Sequence, residues 1–446
     1  MTETAIDGRW LEELSELLRI PSVSADPAHA DDVVAAAEWI ADKIRRSGGE
    51  AELVPWGTRP LVVGEIRASA NADEAPTILC YGHFDVQPPA PLELWESDPF
   101  EATIRGEWLY ARGVADDKGQ LWMLLHAAGL LAAEGALPVN LRIVSDGEEE
   151  VGGHSIVEFL EQDERGADAC VIFDGGMEHR NLPAVSVATR GLAAFNLAVR
   201  TGTRDLHSGM YGNAALNAIH ALTTTLGGIL PRDGRVPEPL RVGIVEPTDE
   251  ERAGWEKQPA GEEVLREAGA LPYDERAAEE FYLRTTAEPS VDVNGIVGGK
   301  PGLKNTTIPA QAQANFTVRL APGQDPDTVG AEVERLLKEA APEGVIVELE
   351  PDGASRPGLV AADSEVVKIA QDAFEAAFGI RPILTRSGGT LPIMPALQDK
   401  GIPTILTGFA LPESSVHSPN ERMLVEFFPR GVETISELYR RLGDLG

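Results

Sequence analysis

The sequence predicts an α/β protein whose main sheet is covered by helices on both faces. Short apolar segments alternate with helical segments along the chain, and the apolar segments are continuous rather than interrupted by polar residues. This pattern is typical of strands that are buried on both sides. The 446 residues are 43% hydrophobic and 25% charged, which is enough material for two or three domains.

The elements of this main domain follow from apolar periodicity and from the Gly, Pro and Asp residues that bound each segment. The predicted helices are residues 8–19, 31–49, 117–135 and 364–379. The predicted strands are residues 61–66, 77–81, 141–145, 169–173 and 403–409.

The middle of the chain predicts a second α/β domain inserted into the first. Segments 192–202 and 314–322 alternate apolar and polar residues, as half-exposed strands do, and 212–229 and 327–342 have the pattern of amphipathic helices. A Pro- and acid-rich insertion at about 231–289 interrupts this domain. We therefore predict one domain from residues 1–188 and 357–446, and an inserted domain from residues 189–356.

Composition excludes several classes of partner. Seventy-two acidic and 38 basic residues give a formal charge of −34, which argues against nucleic acid or an anionic membrane surface. No apolar run approaches the roughly 20 residues that span a membrane, and the N-terminal segment is acidic and amphipathic, unlike a secretory signal. Cys80 and Cys170 lie in apolar runs and predict buried thiols without a disulfide. We expect a cytoplasmic protein.

Metal-type ligands follow four of the predicted strands at their carboxyl ends, where function concentrates in open α/β sheets. In chain order these residues are His83 and Asp85, Glu148–Glu150, Asp174 and, after a loop, His417. A further acidic pair, Asp116 and Asp117, begins the helix at 117–135. Imidazole and carboxylate groups that converge in this way predict a metal site.

Each of these residues has another interpretation when it is taken alone. His83 and Asp85 could form a capped strand end, and Asp116 could cap a helix and interact with its dipole. Glu148–Glu150 could be a solvated charge cluster, and His417 could be a surface residue. These interpretations explain each group separately, but they do not explain why all of them follow strand ends.

A series of motifs resembles a known family. The motifs are "IPSVS" (20–24), "GHFDV" (82–86), "ARGVADDKG" (111–119), "DGEEEVGG" (146–153), "DLHSGMYG" (205–212) and "SVHSPNE" (415–421). In this order they resemble the M20 family of two-metal peptidases, with the greatest likeness to its cytosolic non-specific dipeptidase and carnosinase branch. The resemblance covers nearly the whole chain. It implies a mixed-sheet, exopeptidase-type catalytic domain and an inserted α/β lid domain that forms a homodimer.

The resemblance also implies a set of metal ligands, namely His83, Asp116, Glu150, Asp174 and His417. Asp116 would bridge two ions, one held with His83 and Asp174 and the other with Glu150 and His417. Imidazole and carboxylate ligands without thiolate suit Zn²⁺, which is the expected ion, and also Mn²⁺ or Co²⁺.

Two further residues receive catalytic roles. The family pattern of two glutamates followed by x-Gly fits residues 149–152, which makes Glu149 the general base, although a run of three glutamates leaves the register open by one residue. Asp85 shares a strand face with His83, so we expect it to accept the imidazole N–H and fix the tautomer. The resemblance further implies a cis peptide bond between Asp116 and Asp117.

Substrate-binding residues are expected in the inserted domain and in a glycine-rich segment, 387–393. By resemblance, His207 would act in the partner subunit's active site and stabilise the oxyanion, and Arg319 would pair with the substrate's carboxylate. Ser387 and Thr390 would bind the same carboxylate. Without the resemblance, His207 would be assigned to a surface loop and Arg319 to an exposed strand position.

The predicted function is the hydrolysis of dipeptides, or closely related short amides, that have a free carboxylate. Alternatives within the same family are an N-acyl amino acid deacylase and a carboxypeptidase. An inactive relative that serves as a binding or scaffold protein is a third alternative, but every ligand position and the base are filled. A two-metal phosphatase is disfavoured because no Lys or Arg cluster follows the strands.

Overall fold

The computed structural model describes residues 6–56, 59–300 and 305–445. The chain divides into two compact units. The first unit comprises Met1–Val187, Val360–Thr385 and Ala396–Gly446, and the second comprises Ala188–Leu359 and Arg386–Pro395. The predicted limits of the inserted domain, 189 and 356, lie close to two of these divisions. Residues 386–395, which the sequence placed with 357–446, group instead with the second unit.

The described part of the chain contains both strands and helices, and several strands follow one another without an intervening α-helix. The strands are β1 (Glu50–Val54), β2 (Leu61–Ile66), β3 (Thr77–His83), β4 (Thr103–Arg105), β5 (Trp108–Tyr110), β6 (Asn140–Asp146), β7 (Ala169–Ile172), β8 (Ala184–Thr189), β9 (Gly191–Arg200), β10 (Leu206–His207), β11 (Ser290–Val297), β12 (Thr307–Ile308), β13 (Gln311–Leu320), β14 (Ile346–Ser355), β15 (Gly358–Leu359), β16 (Ile383–Ser387), β17 (Thr404–Thr407) and β18 (Arg422–Leu424).

The helices vary from one turn to more than four. They are α1 (Gly8–Leu18), α2 (Ala30–Arg46), α3 (Lys118–Ala133), α4 (Ser155–Gln162), α5 (Ser208–Tyr211), α6 (Ala218–Leu226), α7 (Asp249–Trp255), α8 (Gly261–Glu267), α9 (Pro326–Ala340), α10 (Glu365–Phe378), α11 (Ile393–Asp399) and α12 (Phe427–Leu442). No helix in the described part of the chain is long and apolar enough to cross a bilayer.

A mixed sheet of nine strands forms the centre of the fold. Its order is β1-β2-β6-β3-β7-β17-β8-β15, and β16 also pairs with β8. β3 is parallel to β6 and β7, and β17 is parallel to β7, whereas β1–β2, β2–β6 and β17–β8 are antiparallel pairs. The predicted mixed α/β fold is therefore confirmed. Because β3, β6, β7 and β17 run in one direction, the residues that follow them emerge at one edge of the sheet.

Helix α3 packs inside the first unit rather than on its surface. It is apolar on all sides, and its buried residues include Trp122, Leu124 and Leu131. A helix of this kind must be surrounded by other elements. Even Lys118 at its first turn is buried, and its ammonium group donates to the backbone oxygens of Leu17 and Ile20, at 3.3 and 2.5 Å. These contacts fix the start of α3, directly after Asp116 and Asp117.

The second unit contains a separate antiparallel sheet in the order β11-β13-β9-β14. Residues of β9 alternate between buried and more exposed, as the period-two pattern predicted. Helices α6 and α9 contribute apolar residues, among them Leu222, Val333 and Leu337, to the core on one face of this sheet.

Two details of the second unit differ from the sequence prediction. The helix predicted over 212–229 begins only at Ala218, because the carboxamide of Asn217 accepts from the N–H groups of Ile219 and His220 and caps the helix there. Residues 386–395 belong to this unit because the buried guanidinium of Arg386 pairs with buried Glu251, at 2.5 Å.

Candidate metal centre

The structure brings the five predicted ligands together in two groups that share one residue. His83, Asp116 and Asp174 form the first group, and Asp116, Glu150 and His417 form the second. In each group, one potential ligand atom from each residue lies within 4.8 Å of the others. All five residues belong to the first unit.

Asp116 faces the two histidines with different oxygens. Its Oδ1 lies 3.0 Å from Nε2 of His83, and its Oδ2 lies 2.8 Å from Nε2 of His417. Nε2 of His417 also lies 3.1 Å from Oε2 of Glu150, and Nε2 of His83 lies 4.0 Å from Oδ1 of Asp174. This arrangement fits a carboxylate that bridges two cations.

Strand ends and loops position these side chains. His83 is the last residue of β3, Asp174 lies two residues beyond β7, and Glu150 lies in a 3₁₀ turn, Glu149–Val151, that follows β6. His417 has a left-handed backbone, with φ of 59°. That conformation is uncommon for a residue other than glycine and recurs at functional sites.

A second carboxylate, Asp117, fixes the end of β3. It is fully buried, and its Oδ2 accepts a hydrogen bond from the backbone N–H of His83 at 3.3 Å. The peptide bond between Asp116 and Asp117 is cis, as the resemblance implied. The neighbouring carboxylates thus have different contacts: Asp116 faces the imidazoles, and Asp117 faces the backbone of the strand.

Asp85 lies on the opposite side of the His83 ring. Nδ1 of His83 is 3.1 Å from the backbone oxygen of Asp85 and 3.4 Å from its carboxylate Oδ1. Nδ1–H donates to the backbone oxygen, and this leaves Nε2 free to bind a metal, whereas the nearby carboxylate Oδ1 receives no hydrogen bond. The other carboxylate oxygen of Asp85 accepts the N–H of Glu150 at 3.2 Å, so Asp85 also contacts the turn that contains a second predicted ligand.

The three adjacent glutamates have distinct surroundings. Glu148 turns away, because its carboxylate accepts from the N–H of Ser155 at 2.8 Å and lies 3.4 Å from Nη1 of Arg59. Glu150 faces His417 and accepts from the amide of Gln87 at 2.9 Å. Burial, together with Asp174 and Glu150, raises the pKa of Glu149 to about 8. These contacts favour the register in which Glu149 is the base and Glu150 the ligand.

The donor set has a surplus of buried negative charge. Among the described residues, the carboxylates of Asp116, Glu150 and Asp174 pair with histidines and with no Lys or Arg. Burial and the nearby Asp116 raise the pKa of Asp174 to about 6, and Oδ1 of buried Asp85 has no hydrogen-bond donor in the described chain. Divalent cations would offset this charge, and imidazole with carboxylate suits Zn²⁺, Mn²⁺ or Co²⁺. The residues present therefore fit two divalent ions.

Glu421 holds the loop that contains Asp116. It is fully buried, and its Oε1 accepts the N–H groups of Ala115 and Asp116 at 2.9 and 3.1 Å. Its Oε2 accepts the N–H of Gly113 at 3.0 Å and the guanidinium of buried Arg112 at 2.7 Å. Glu421, four residues after His417, thus fixes the backbone of residues 113–116.

The four predicted substrate-binding residues lie in the second unit, and the three assigned to the carboxylate are close together. Nη1 of Arg319 donates to the hydroxyl of Thr390 at 3.0 Å, and the hydroxyl of Ser387 accepts the N–H of Gly389 at 3.1 Å. His207, also in the second unit, is exposed at the end of β10, and its Nδ1 accepts the N–H of Gly209 at 3.0 Å.

Sequence reasoning did not single out Glu421, Asp117 as a strand anchor, or Gln87. All three lie inside or beside recognised motifs: Glu421 ends "SVHSPNE", and Gln87 follows "GHFDV". Position within a motif was therefore the available signal. Their partners are backbone groups and side chains distant in sequence, which a linear pattern does not indicate.

A mixed α/β sheet whose parallel strands end in clustered imidazole and carboxylate groups is the architecture of a metal-dependent hydrolase. Comparison with known proteins gives the family. The model of peptidase family M20/M25/M40 matches residues 79–441, and the chain belongs to this family.

Several curated relatives of the chain are dipeptidases. The cysteinylglycine-S-conjugate dipeptidase of Corynebacterium striatum is 29% identical over 430 residues, which cover 93% of this chain and 91% of that protein. The human Beta-Ala-His dipeptidase is 26% identical over 465 residues, which cover 98% of this chain and 90% of that protein. Among solved structures, the M20 family metallo-carboxypeptidase Sso-CP2 from Sulfolobus solfataricus is 28% identical, with a TM-score of 0.84 over 98% of this chain and all of that chain.

We expect Glu421→Ala to weaken both stability and metal binding. The change leaves Arg112 buried without its carboxylate and three N–H groups without their acceptor, so the free energy of unfolding should fall by about 3–5 kcal/mol. Glu421→Gln should fold but bind Zn²⁺ at least about tenfold more weakly, because the Asp116 loop is less well fixed. Urea unfolding and competition with a Zn²⁺ chelator measure the two effects.

The matched control is Glu413→Gln, at an exposed position eight residues earlier. It should change neither quantity. A folded Glu421→Gln protein with unaltered Zn²⁺ affinity would show that this carboxylate does not position the metal ligands.

Proposed function

We propose that this protein hydrolyses the peptide bond of dipeptides that have a free C-terminal carboxylate, using two divalent metal ions, with Zn²⁺ the expected ion. The observation that supports this most directly is the geometry of Asp116, whose two oxygens face His83 and His417 separately. Family membership and the dipeptidase activity of the similar proteins agree with it.

His83 and Asp174 would hold one ion, Glu150 and His417 the other, and Asp116 both. Two ions bound in this way would lower the pKa of a shared water and polarise the scissile carbonyl. Asp85 orients the ring of His83, so that Nε2 is presented to the first ion.

Glu149 is the proposed general base. Its carboxylate is more than half buried and has no hydrogen-bond partner in the described chain. Burial and nearby carboxylates raise its pKa to about 8, and bound cations would favour the ionised form, which can take a proton from the attacking water and deliver it to the leaving amine. Neighbouring Glu148 is engaged by Ser155 and Arg59 and is not available for this step.

The second unit would recognise the substrate. Arg319, with Ser387 and Thr390, would bind the C-terminal carboxylate and so limit the length of the peptide. We assign His207 to the oxyanion of the tetrahedral intermediate in the partner subunit, which requires a homodimer formed through the second unit.

The acidic composition and the two buried free thiols fit a cytoplasmic protein that binds neither nucleic acid nor a membrane.

A carboxypeptidase of the same family is the second candidate. The observation that favours it is the likeness to Sso-CP2, which covers almost the whole of both chains. An N-acyl amino acid deacylase would use the same metal ligands. Both alternatives use the same hydrolytic chemistry and differ only in the group that lies N-terminal to the scissile bond, a longer peptide or an acyl group.

Hydrolysis of a substrate panel by metal-stripped protein, with Zn²⁺, Mn²⁺ or Co²⁺ added back, tests the proposed function. The panel contains plain dipeptides, a tripeptide, β-alanyl-histidine and N-acetyl amino acids. We expect metal-dependent cleavage confined to dipeptides, since a carboxylate site at fixed distance limits substrate length. Efficient tripeptide cleavage would favour the carboxypeptidase, and preference for N-acetyl amino acids would favour the deacylase. No cleavage by protein with two bound ions would refute a peptidase.

Glu149→Gln should retain two metal ions per chain and lose about 10²–10⁴-fold in kcat, since the amide cannot accept the proton. Metal content by elemental analysis and steady-state kinetics provide the measurement. Glu148→Gln is the matched control and should remain active. If Glu148→Gln lost turnover and Glu149→Gln did not, the register of the base would be shifted by one residue.

Mixing His207→Ala protein with Asp116→Ala protein tests action across a dimer. Each variant alone should be inactive, whereas a heterodimer contains one complete set of groups. Random reassortment should restore about a quarter of the activity of the native protein. Absence of recovery with heterodimers verified by native mass spectrometry would refute the role of His207 in trans.

A further inference from the structure

Two arginines of the second unit contact the same glycine-rich segment, Ser387–Thr390. Nε of Arg190 donates to the backbone oxygen of Gly388 at 3.1 Å, and Nη1 of Arg319 donates to the hydroxyl of Thr390 at 3.0 Å. The backbone N–H of Arg190 also donates to the oxygen of Gly389 at 2.9 Å. The segment is therefore held between two guanidinium groups.

Strand register brings the positions of these two arginines close together in the chain fold. In the β9–β13 pair, Leu192 is opposite Arg319, and Gly191 is opposite Leu320. Arg190 directly precedes β9 and is two residues from Leu192, the position opposite Arg319, and both arginines bond to the Ser387–Thr390 segment. Residues related diagonally in this way are close enough for long side chains to act on a common ligand.

Neither guanidinium is neutralised within the described chain. Arg190 and Arg319 form no ion pair with any described carboxylate, and the Nη1 and Nη2 groups of Arg190 have no hydrogen-bond acceptor there. Burial and the charge of Arg319 lower the pKa of Arg190 to about 10, and Asp292 opposes this effect only in part. Arg190 remains charged at neutral pH. Two neighbouring cations, partly withdrawn from water, form an attractive site for an anion.

The backbone of the segment is open at Gly389 and more crowded at Gly388. A methyl group added at Gly388 would lie 3.7 Å from Nη2 of Arg190 and 3.1 Å from the backbone oxygen of Thr285. Nη2 therefore lies beside a backbone that has no side chain. At Gly389, the same addition would meet only the hydroxyl of Ser387, at 3.4 Å.

We propose that Arg190 is a second specificity-determining residue, which binds the free C-terminal carboxylate of the substrate together with Arg319. This inference rests on the proposed dipeptidase function and extends it. A site with two guanidinium groups discriminates strongly against peptides whose C-terminus is amidated, because a neutral amide leaves both cations without a partner.

The competing interpretation is that Arg190 only supports the segment through its bond to Gly388. The two interpretations differ in what removal of the charge does to different substrates. Loss of a carboxylate-binding group weakens binding of the peptide acid and leaves binding of the peptide amide unchanged. Loss of a purely structural support weakens binding of the acid and of the amide to the same extent.

The test compares L-alanyl-L-alanine with L-alanyl-L-alaninamide as substrates of metal-loaded native, Arg190→Gln, Arg190→Lys and Arg200→Gln proteins. Arg200 lies on β9 and pairs with Glu348 at the surface, so its variant is the matched control. For Arg190→Gln, we expect KM for the acid to rise about tenfold to a hundredfold, with kcat/KM for the amide unchanged. Arg190→Lys should be intermediate, and Arg200→Gln should resemble the native protein.

Calorimetric titration of L-alanyl-L-alanine into metal-loaded protein that also carries Glu149→Gln provides a readout that does not require turnover. The Kd should rise by a similar factor in Arg190→Gln and not in Arg200→Gln. If the native protein hydrolyses neither compound, the proposed function fails, but this binding measurement still decides the role of Arg190. Equal losses for acid and amide, an unchanged KM and Kd, or native protein that binds acid and amide equally would each overturn the inference.

Discussion

The candidate metal centre depends on one carboxylate that faces two imidazoles. Asp116 presents Oδ1 to His83 and Oδ2 to His417, and no other described carboxylate belongs to both ligand groups. That orientation requires the backbone around Asp116 to be fixed. The buried carboxylate of Glu421 does this through the N–H groups of Ala115 and Asp116. Both candidate ion sites include Asp116, so a shift of this residue would change the ligand geometry of both sites.

The same region gathers negative charge that the polypeptide does not neutralise by itself. The pKa of Glu149 is raised to about 8 by burial and by nearby carboxylates, and buried Asp85, Asp117 and Asp146 each have one oxygen without a donor in the described chain. Such a cluster costs folding free energy, which bound divalent cations would recover. Metal content and stability should therefore be linked in this protein.

The two units supply different chemistry. The first provides imidazole and carboxylate groups, which suit cations and proton transfer, and the second provides guanidinium groups and a glycine-rich backbone, which suit an anion. In the second unit, Arg319 lies on β13 and Arg190 directly precedes β9, and both bond to the Ser387–Thr390 segment.

The sequence by itself determined the order of the elements, the mixed α/β class and the residues at the strand ends, because apolar periodicity and motif spacing are local properties. The strand ends singled out His83, Asp174 and His417 and the groups that contain Asp116 and Glu150, and the resemblance to the M20 family implied that these five residues are the ligands. Only the tertiary structure decided which oxygen of Asp116 faces which imidazole, and that residues 386–395 join the second unit. It also revealed Glu421 and Arg190. Their partners are backbone groups and loops far away in the chain, and such contacts arise from folding rather than from any repeating pattern of residues.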